Sequence, residues 1–281
     1  MTARIEAPAP ANGRRRTALS VLLGSGGIAL VCVALAAPVF AYAARAPHDV
    51  GVPTNGVAAA TAVCPKGYHV GFGGVVGGIQ LAFPQYRVLP EGMRLTASNK
   101  WTAYAKGFSP SGHLKAVAYC VHGSTGLRVA SKSAAVARAK IGTVIATCPV
   151  GTVAVAGGYN SGTGRRNLES LRRMERIGTR QWVVTIHNGG LATTVSAYGY
   201  CAGGTAPTLV TATVKVTRYG YLTARVNCPK GTSLVGGGVT SGGLYGSLDV
   251  FSMTAPSSTQ WVVKAFNAGN QGTFTAEAYC R

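Results

Sequence analysis

Carboxylates are scarce in this sequence. Seven Asp and Glu stand against 27 Lys and Arg in 281 residues, a net charge of +20. Past residue 43 the acids are Asp49, Glu91, Glu169, Glu175, Asp249 and Glu277. Glycoside hydrolysis wants a pair of carboxyls flanking the scissile bond, and these six recur at no shared position of the repeats described below, which argues against a hydrolase. Histidine is equally thin: His48, His69, His113, His122 and His187 occupy unmatched positions. Neither a zinc set nor Ser/His/Asp catalysis has a signature here. The chain is therefore not expected to be an enzyme, and no metal or other cofactor is expected. One long apolar run occurs, Ala18 to Phe40. Charged residues are only 12% of the chain, hydrophobic ones 47%, and glycine reaches 39, with Val, Thr, Ala and Tyr abundant. That is a globular composition suited to short strands and tight turns, so the expectation is all-β.

The rare residues that are present fall in a pattern. A unit opens with Cys-Pro-x-Gly, reaches a Gly-Gly pair (Gly73 and Gly74, Gly157 and Gly158, Gly237 and Gly238) and closes with Tyr-Cys. In each copy a tryptophan precedes the closing cysteine by 19 residues (101 to 120, 182 to 201, 261 to 280), and Met93, Met174 or Met253 precedes that tryptophan by 8. Such offsets mark three tandem repeats of about 80 residues, placed at 44–125, 126–206 and 207–281. Each is expected to be an antiparallel β unit. A β-prism-like pseudo-threefold body and three small sandwiches in a row are equally open.

The N-terminus reads as an export signal: Arg14, Arg15 and Arg16, the apolar run, then Ala41-Tyr42-Ala43. Residues 1–43 are thus a signal peptide cleaved after Ala43, or a membrane anchor if uncleaved, since the run approaches the length of a span. Either way the rest lies outside the membrane. There, Cys64, Cys120, Cys148, Cys201, Cys228 and Cys280 read as disulfides. Closure within each repeat (Cys64–Cys120, Cys148–Cys201, Cys228–Cys280) is favoured over links between neighbours sealed by Cys64–Cys280.

Alternation before the closing cysteine puts Leu114, Ala116 and Ala118 on the core face, matched by Val195, Ala197 and Gly199 and by Phe274, Ala276 and Ala278. These small residues leave room for the tryptophan of the preceding strand. The Gly-Gly pair, costly inside a strand, demands a bulge or the close approach of a ring or backbone. Tyr119, Tyr200 and Tyr279 fall on the opposite face, where they are candidates for stacking on a glycan. Ser131 to Lys140 reads as a linker, and Arg165 to Arg180 as strand or loop.

The motifs CPKGYHVGFGG, CPVGTVAVAGG and CPKGTSLVGGG, each followed by W and a closing AYC or GYC, resemble tandem repeats of secreted actinobacterial proteins whose function is unassigned. They are more faintly similar to vitelline membrane outer layer proteins, a resemblance that implies a three-sheet β-prism and no ligand.

Charge is uneven: repeat three, from Cys228 to Cys280, is neutral, whereas repeat two holds Arg165, Arg166, Arg172, Arg173, Arg176 and Arg180 within sixteen residues. Arginine grips phosphate or carboxylate with two donors, so these six are the candidate polyanion site. The expected function is that of a secreted or surface-exposed non-catalytic binding or structural protein of the cell envelope, its partner an anionic cell-wall polymer or glycan. No specific nucleic acid is expected, and contact with membrane only through an uncleaved N-terminus. A secreted inhibitor-like module is the alternative, its loop supplied by the stretch between Gly-Gly and Met.

Overall fold

The computed structural model describes residues 44–78, 88–108, 112–123, 125–162, 169–242 and 248–281. The leader, Arg165, Arg166 and residues 79–87 of the stretch between Gly74 and Met93 lie outside the described residues. Those that are described form strands and turns with no helix, and they bear out the all-β expectation. Repeat one supplies β1 (Ala44–Val52), β2 (Val57–Val63), β3 (Tyr68–Val76), β4 (Val88–Ala97), β5 (Lys100–Gly107) and β6 (Gly112–His122). Repeat two supplies β7 (Arg128–Val136), β8 (Lys140–Thr147), β9 (Val153–Asn160), β10 (Glu169–Ile177), β11 (Gln181–Asn188) and β12 (Thr193–Ala202). Repeat three supplies β13 (Thr208–Val216), β14 (Gly220–Asn227), β15 (Leu234–Gly242), β16 (Leu248–Ser257), β17 (Gln260–Asn267) and β18 (Gly272–Cys280). Ser131 to Lys140 is no linker: it is the end of β7, a turn and the start of β8. Its pattern was illegible because β7 is an edge strand exposed along nearly its whole length.

The strands make three antiparallel six-stranded sheets: sheet I in the order β1-β6-β3-β16-β17-β14, sheet II β2-β5-β4-β9-β12-β7, and sheet III β13-β18-β15-β10-β11-β8. Each sheet takes three strands from each of two repeats. Each repeat, in turn, splits its first, third and sixth strands from its second, fourth and fifth, and packs the two halves face to face. Prism and sandwich are thus both present, the sandwiches being closed in a ring rather than strung in a row.

The repeated residues explain this arrangement. The disulfides form within repeats (Cys64–Cys120, Cys148–Cys201, Cys228–Cys280), and each joins one sheet to the next. Trp101, Trp182 and Trp261 are 0% exposed and cross the same gap. Each ring lies on the first glycine of the pair in its own repeat, where a Cβ would come within 2.1–2.2 Å of it. Gly199 likewise makes room for Trp182. Where repeats meet, each sheet has a seam of only two paired positions: Met93 opposite Tyr159, Met174 opposite Val239 and Met253 opposite Val75, each with the residue before the methionine. The second glycine sits at this seam. A Cβ on Gly74, Gly158 or Gly238 would lie 2.2–2.5 Å from the carbonyl of Met253, Met93 or Met174. One glycine therefore admits a ring between sheets, and the other a neighbour's backbone within a sheet.

Candidate binding surface

The closing Tyr-Cys dipeptide makes two different ties. Its cysteine links the sheets of one repeat. Its tyrosine reaches across the seam to the next repeat: Tyr119 accepts the backbone N–H of Ala255, Tyr200 that of Leu95 and Tyr279 that of Arg176. Each acceptor fills a ladder position left open where the seam strands diverge, so these three backbone N–H groups are not orphaned. The rings of Tyr200 and Tyr279 meet Trp101 and Trp182 edge to face at 5.8 and 5.6 Å, and Tyr119 stacks on Phe72 at 4.5 Å. All three tyrosines are at most 1% exposed. They do point away from the cysteine face, but that face is covered too, so they cannot stack on a glycan. This corrects the expectation from alternation alone.

The arginine cluster is corrected in part. Arg180 donates through Nε and Nη2 to the carbonyl of Cys148, at 3.1 and 2.7 Å. Arg176 lies over the Tyr279 ring and donates to the carbonyls of Pro207 and Ala154, at 2.7 and 3.3 Å. Arg173 is ion-paired with Glu175. Arg172 is half-buried on β10. Arg165 and Arg166 lie outside the described residues. Arg176 and Arg180 therefore hold the fold together rather than await a ligand.

The carboxylates are withdrawn from the surface. Glu91, Glu169, Glu175, Asp249 and Glu277 are all 8% exposed or less, and among the described residues only Asp49 is open, beside His113 and Lys115. Four of the five form two groups. Across the seam of repeats one and two, Glu91 and Glu169 lie close together near Lys106. Burial, and then the neighbouring Glu169, pushes Glu91 up to about 8 against the pull of Lys106. Burial likewise takes Glu169 to about 7. Across the seam of repeats two and three, Glu175 and Glu277 share a hydrogen bond, and Thr240 Oγ1 donates to Glu175 Oε2 at 2.5 Å. Tyr279 donates to Glu277 Oε2 at 2.6 Å. Burial and the adjoining Glu175 raise Glu277, which keeps the proton. Burial alone would raise Glu175 too, but its hydrogen bonds and the Arg173 guanidinium outweigh that and hold it below its ordinary value. Sequence reasoning missed both groups because each draws its members from different strands or repeats.

Beside each seam, equivalent positions carry unlike chemistry, buried in some copies and partly exposed in others. One residue past the seam methionine stands Thr254 in sheet I, Arg94 in sheet II and Glu175 in sheet III; three before the closing cysteine stand Val117, Tyr198 and Glu277. In sheet II, Arg94 Nη1 donates to the Tyr198 hydroxyl at 3.0 Å and Nη2 to that of Tyr104 at 3.4 Å. Its guanidinium carbon is 5.3 and 5.7 Å from the two ring centroids. All three side chains are half-buried. The signal for this cluster was in the sequence, as the offsets at which three otherwise matched copies disagree.

Where the three repeats converge, Gly71, Val155 and Val235 (the bulged residue of β3, β9 and β15) line an apolar recess with Phe72, barely wide enough for one water-sized sphere. Among the described residues no three His, Cys, Asp or Glu gather as a metal set, and no helix is long and apolar enough to cross a membrane. Compared with known proteins, the chain matches no family model and no curated relative at a significant level of similarity.

Proposed function

We propose that this is an exported, non-catalytic protein of the cell envelope that binds anionic polymers or glycans through its basic exterior. The observation that carries this reading is the sorting of charge. Among the described residues twelve Lys and Arg are exposed, and Asp49 is the one exposed acid. An exterior so depleted of carboxylate has almost nothing to compete with a polyanion for its cations. The exposed cations most closely spaced along the chain are Arg128, Lys132, Arg138 and Lys140 of the β7–β8 corner, rather than the arginines of β10. Three disulfides fit an oxidising compartment outside the cell. The Glu175–Glu277 pair does not favour catalysis, because it is buried and its oxygens are held by Arg173, Thr240 and Tyr279.

The test is binding of residues 44–281 to purified anionic wall polymer across a salt series. Counterion release makes affinity fall linearly in log salt, and replacing Arg128, Lys132, Arg138 and Lys140 with Gln should flatten the slope. Wild-type protein that binds no wall polymer, or binds it independently of salt, would refute the reading.

A further inference from the structure

Three seams share one frame. Each keeps the glycine pair, the seam methionine and the tyrosine hydroxyl that accepts the next repeat's N–H, yet the equivalent flanking positions carry Thr254 and buried Val117, half-buried Arg94 and Tyr198, or buried Glu175 and Glu277. Since the frame closes equally well over all three sets, the fold does not require an arginine clasped by two tyrosines. Something other than folding accounts for it.

The geometry suits an oxyanion. Arg94 faces no carboxylate among the described residues. Two of its N–H groups are committed to the Tyr198 and Tyr104 hydroxyls, which fixes the plane of the guanidinium, while each Nη keeps a second N–H. A fixed, un-neutralised guanidinium binds carboxylate or phosphate with little further loss of side-chain freedom. Flanking it, the buried Thr102 hydroxyl links those of Thr61 at 3.0 Å and Thr96 at 2.9 Å, and the two outer hydroxyls are suited to a polyol or sugar.

We propose that Arg94, Tyr104 and Tyr198 on the outer face of sheet II form a specific subsite that grips one oxyanion-bearing unit of an anionic glycan, Arg94 taking the charge and the tyrosine edges and threonine hydroxyls the carbon frame. The proposal rests on the polyanion-binding function above and adds a local site to a diffuse basic exterior. It commits to the shared chemistry of a saccharide- or polyol-borne oxyanion, carboxylate or phosphate.

The two sources are separated by two probes, a glucuronate oligosaccharide and a glycerol-phosphate oligomer, titrated against residues 44–281 with a neutral glucan as control. Arg94→Thr and Tyr198→Val install the residues that sheet I carries at these positions, so both variants should fold with the wild-type melting temperature. Each is expected to weaken binding of at least one anionic probe tenfold or more at fixed salt. Arg94→Lys keeps the charge without the fork and should lose most of the same affinity. Tyr104→Phe, which removes a single hydroxyl, gives a milder loss and stands in should Arg94→Thr fail to fold. If the Arg94 and Tyr104 variants bind both probes like wild type while the β7–β8 quadruple variant does not, the subsite is wrong and the diffuse reading survives. If wild type binds neither probe nor wall polymer, both fall.

Discussion

At the scale of single residues the fold is decided by where a Cβ fits. Gly157 meets the Trp182 ring and Gly158 the Met93 carbonyl, so Gly157→Ala and Gly158→Ala must move a buried ring or a neighbouring strand. Overpacking of this kind costs about 1–3 kcal/mol or more, and urea unfolding should show the loss. The opposite change is available in the turns that join the first two strands of each repeat. Asn55, Ala139 and Tyr219 occupy equivalent positions there, with φ of 52°, 56° and 55°. Asparagine tolerates this left-handed conformation, whereas alanine and tyrosine are strained in it. Ala139→Gly and Tyr219→Gly should therefore raise stability, by up to about 1 kcal/mol once the greater freedom of glycine in the unfolded chain is subtracted. A fall in melting temperature for both would mean that neighbouring contacts relieve the strain.

At the scale of elements, the Tyr-Cys strand is the device that closes the ring. Tyr200→Phe leaves the N–H of Leu95 without its acceptor in a buried seam, a loss of about 1–3 kcal/mol, and Tyr119→Phe and Tyr279→Phe should cost similar amounts. Hydrogen exchange at Leu95, Ala255 and Arg176 reports each lock separately; unchanged protection at Leu95 in Tyr200→Phe would show that the hydroxyl is dispensable. Much of this element was legible in the sequence. Small residues before Cys120, Cys201 and Cys280 implied a tryptophan packed against them, and the glycine pair implied a ring or backbone close by; both hold. What periodicity could not reveal is the neighbour on the other face. A strand that alternates core and exterior in an isolated sandwich is covered on both sides once its sheet continues into the next repeat, and so the tyrosines expected at the surface are interior. Edge strands fail in the opposite sense: β7 shows both faces to solvent, loses its alternation and reads as a linker. Its Lys132 also guards an open edge against pairing with another chain. Arg94, Tyr104 and Tyr198 converge from β4, β5 and β12, across a seam of two residue pairs that no local pattern announces.

At the scale of the whole molecule, every repeat lends half its strands to one neighbour and half to the other. A single repeat excised as a fragment would expose two unpaired seams and is expected to aggregate or remain unfolded, its disulfide notwithstanding. Circular dichroism of residues 207–281 alone, oxidised, tests this; a cooperative thermal transition in that fragment would show that the sandwiches are autonomous.

The buried carboxyls set the pH response of the same assembly. Glu91 titrates near 8 and Glu169 near 7 in the folded protein, and Glu277 is also raised, all chiefly by burial, while in the unfolded chain they return to about 4.5. Between those limits the native state holds more protons than the unfolded one, so the stability these groups contribute is complete below pH 4.5 and is lost as pH rises toward 8. Glu175, held low, acts in the opposite direction, but it is one group against three. Stability should therefore decline from about pH 5 to pH 9, by an amount of the order of a few kcal/mol, the reverse of ordinary acid denaturation. Above pH 8 Glu91 and Glu169 are two neighbouring buried carboxylates with only Lys106 to offset them, which strains the seam between repeats one and two first. Glu91→Gln keeps the size of the side chain and removes that charge. It should flatten the profile between pH 6 and 9 and raise the melting temperature at pH 9, leaving that at pH 5 nearly unchanged. A wild-type profile that is flat or rising over this range would mean that the two glutamates ionise freely, with water or a cation reaching the seam.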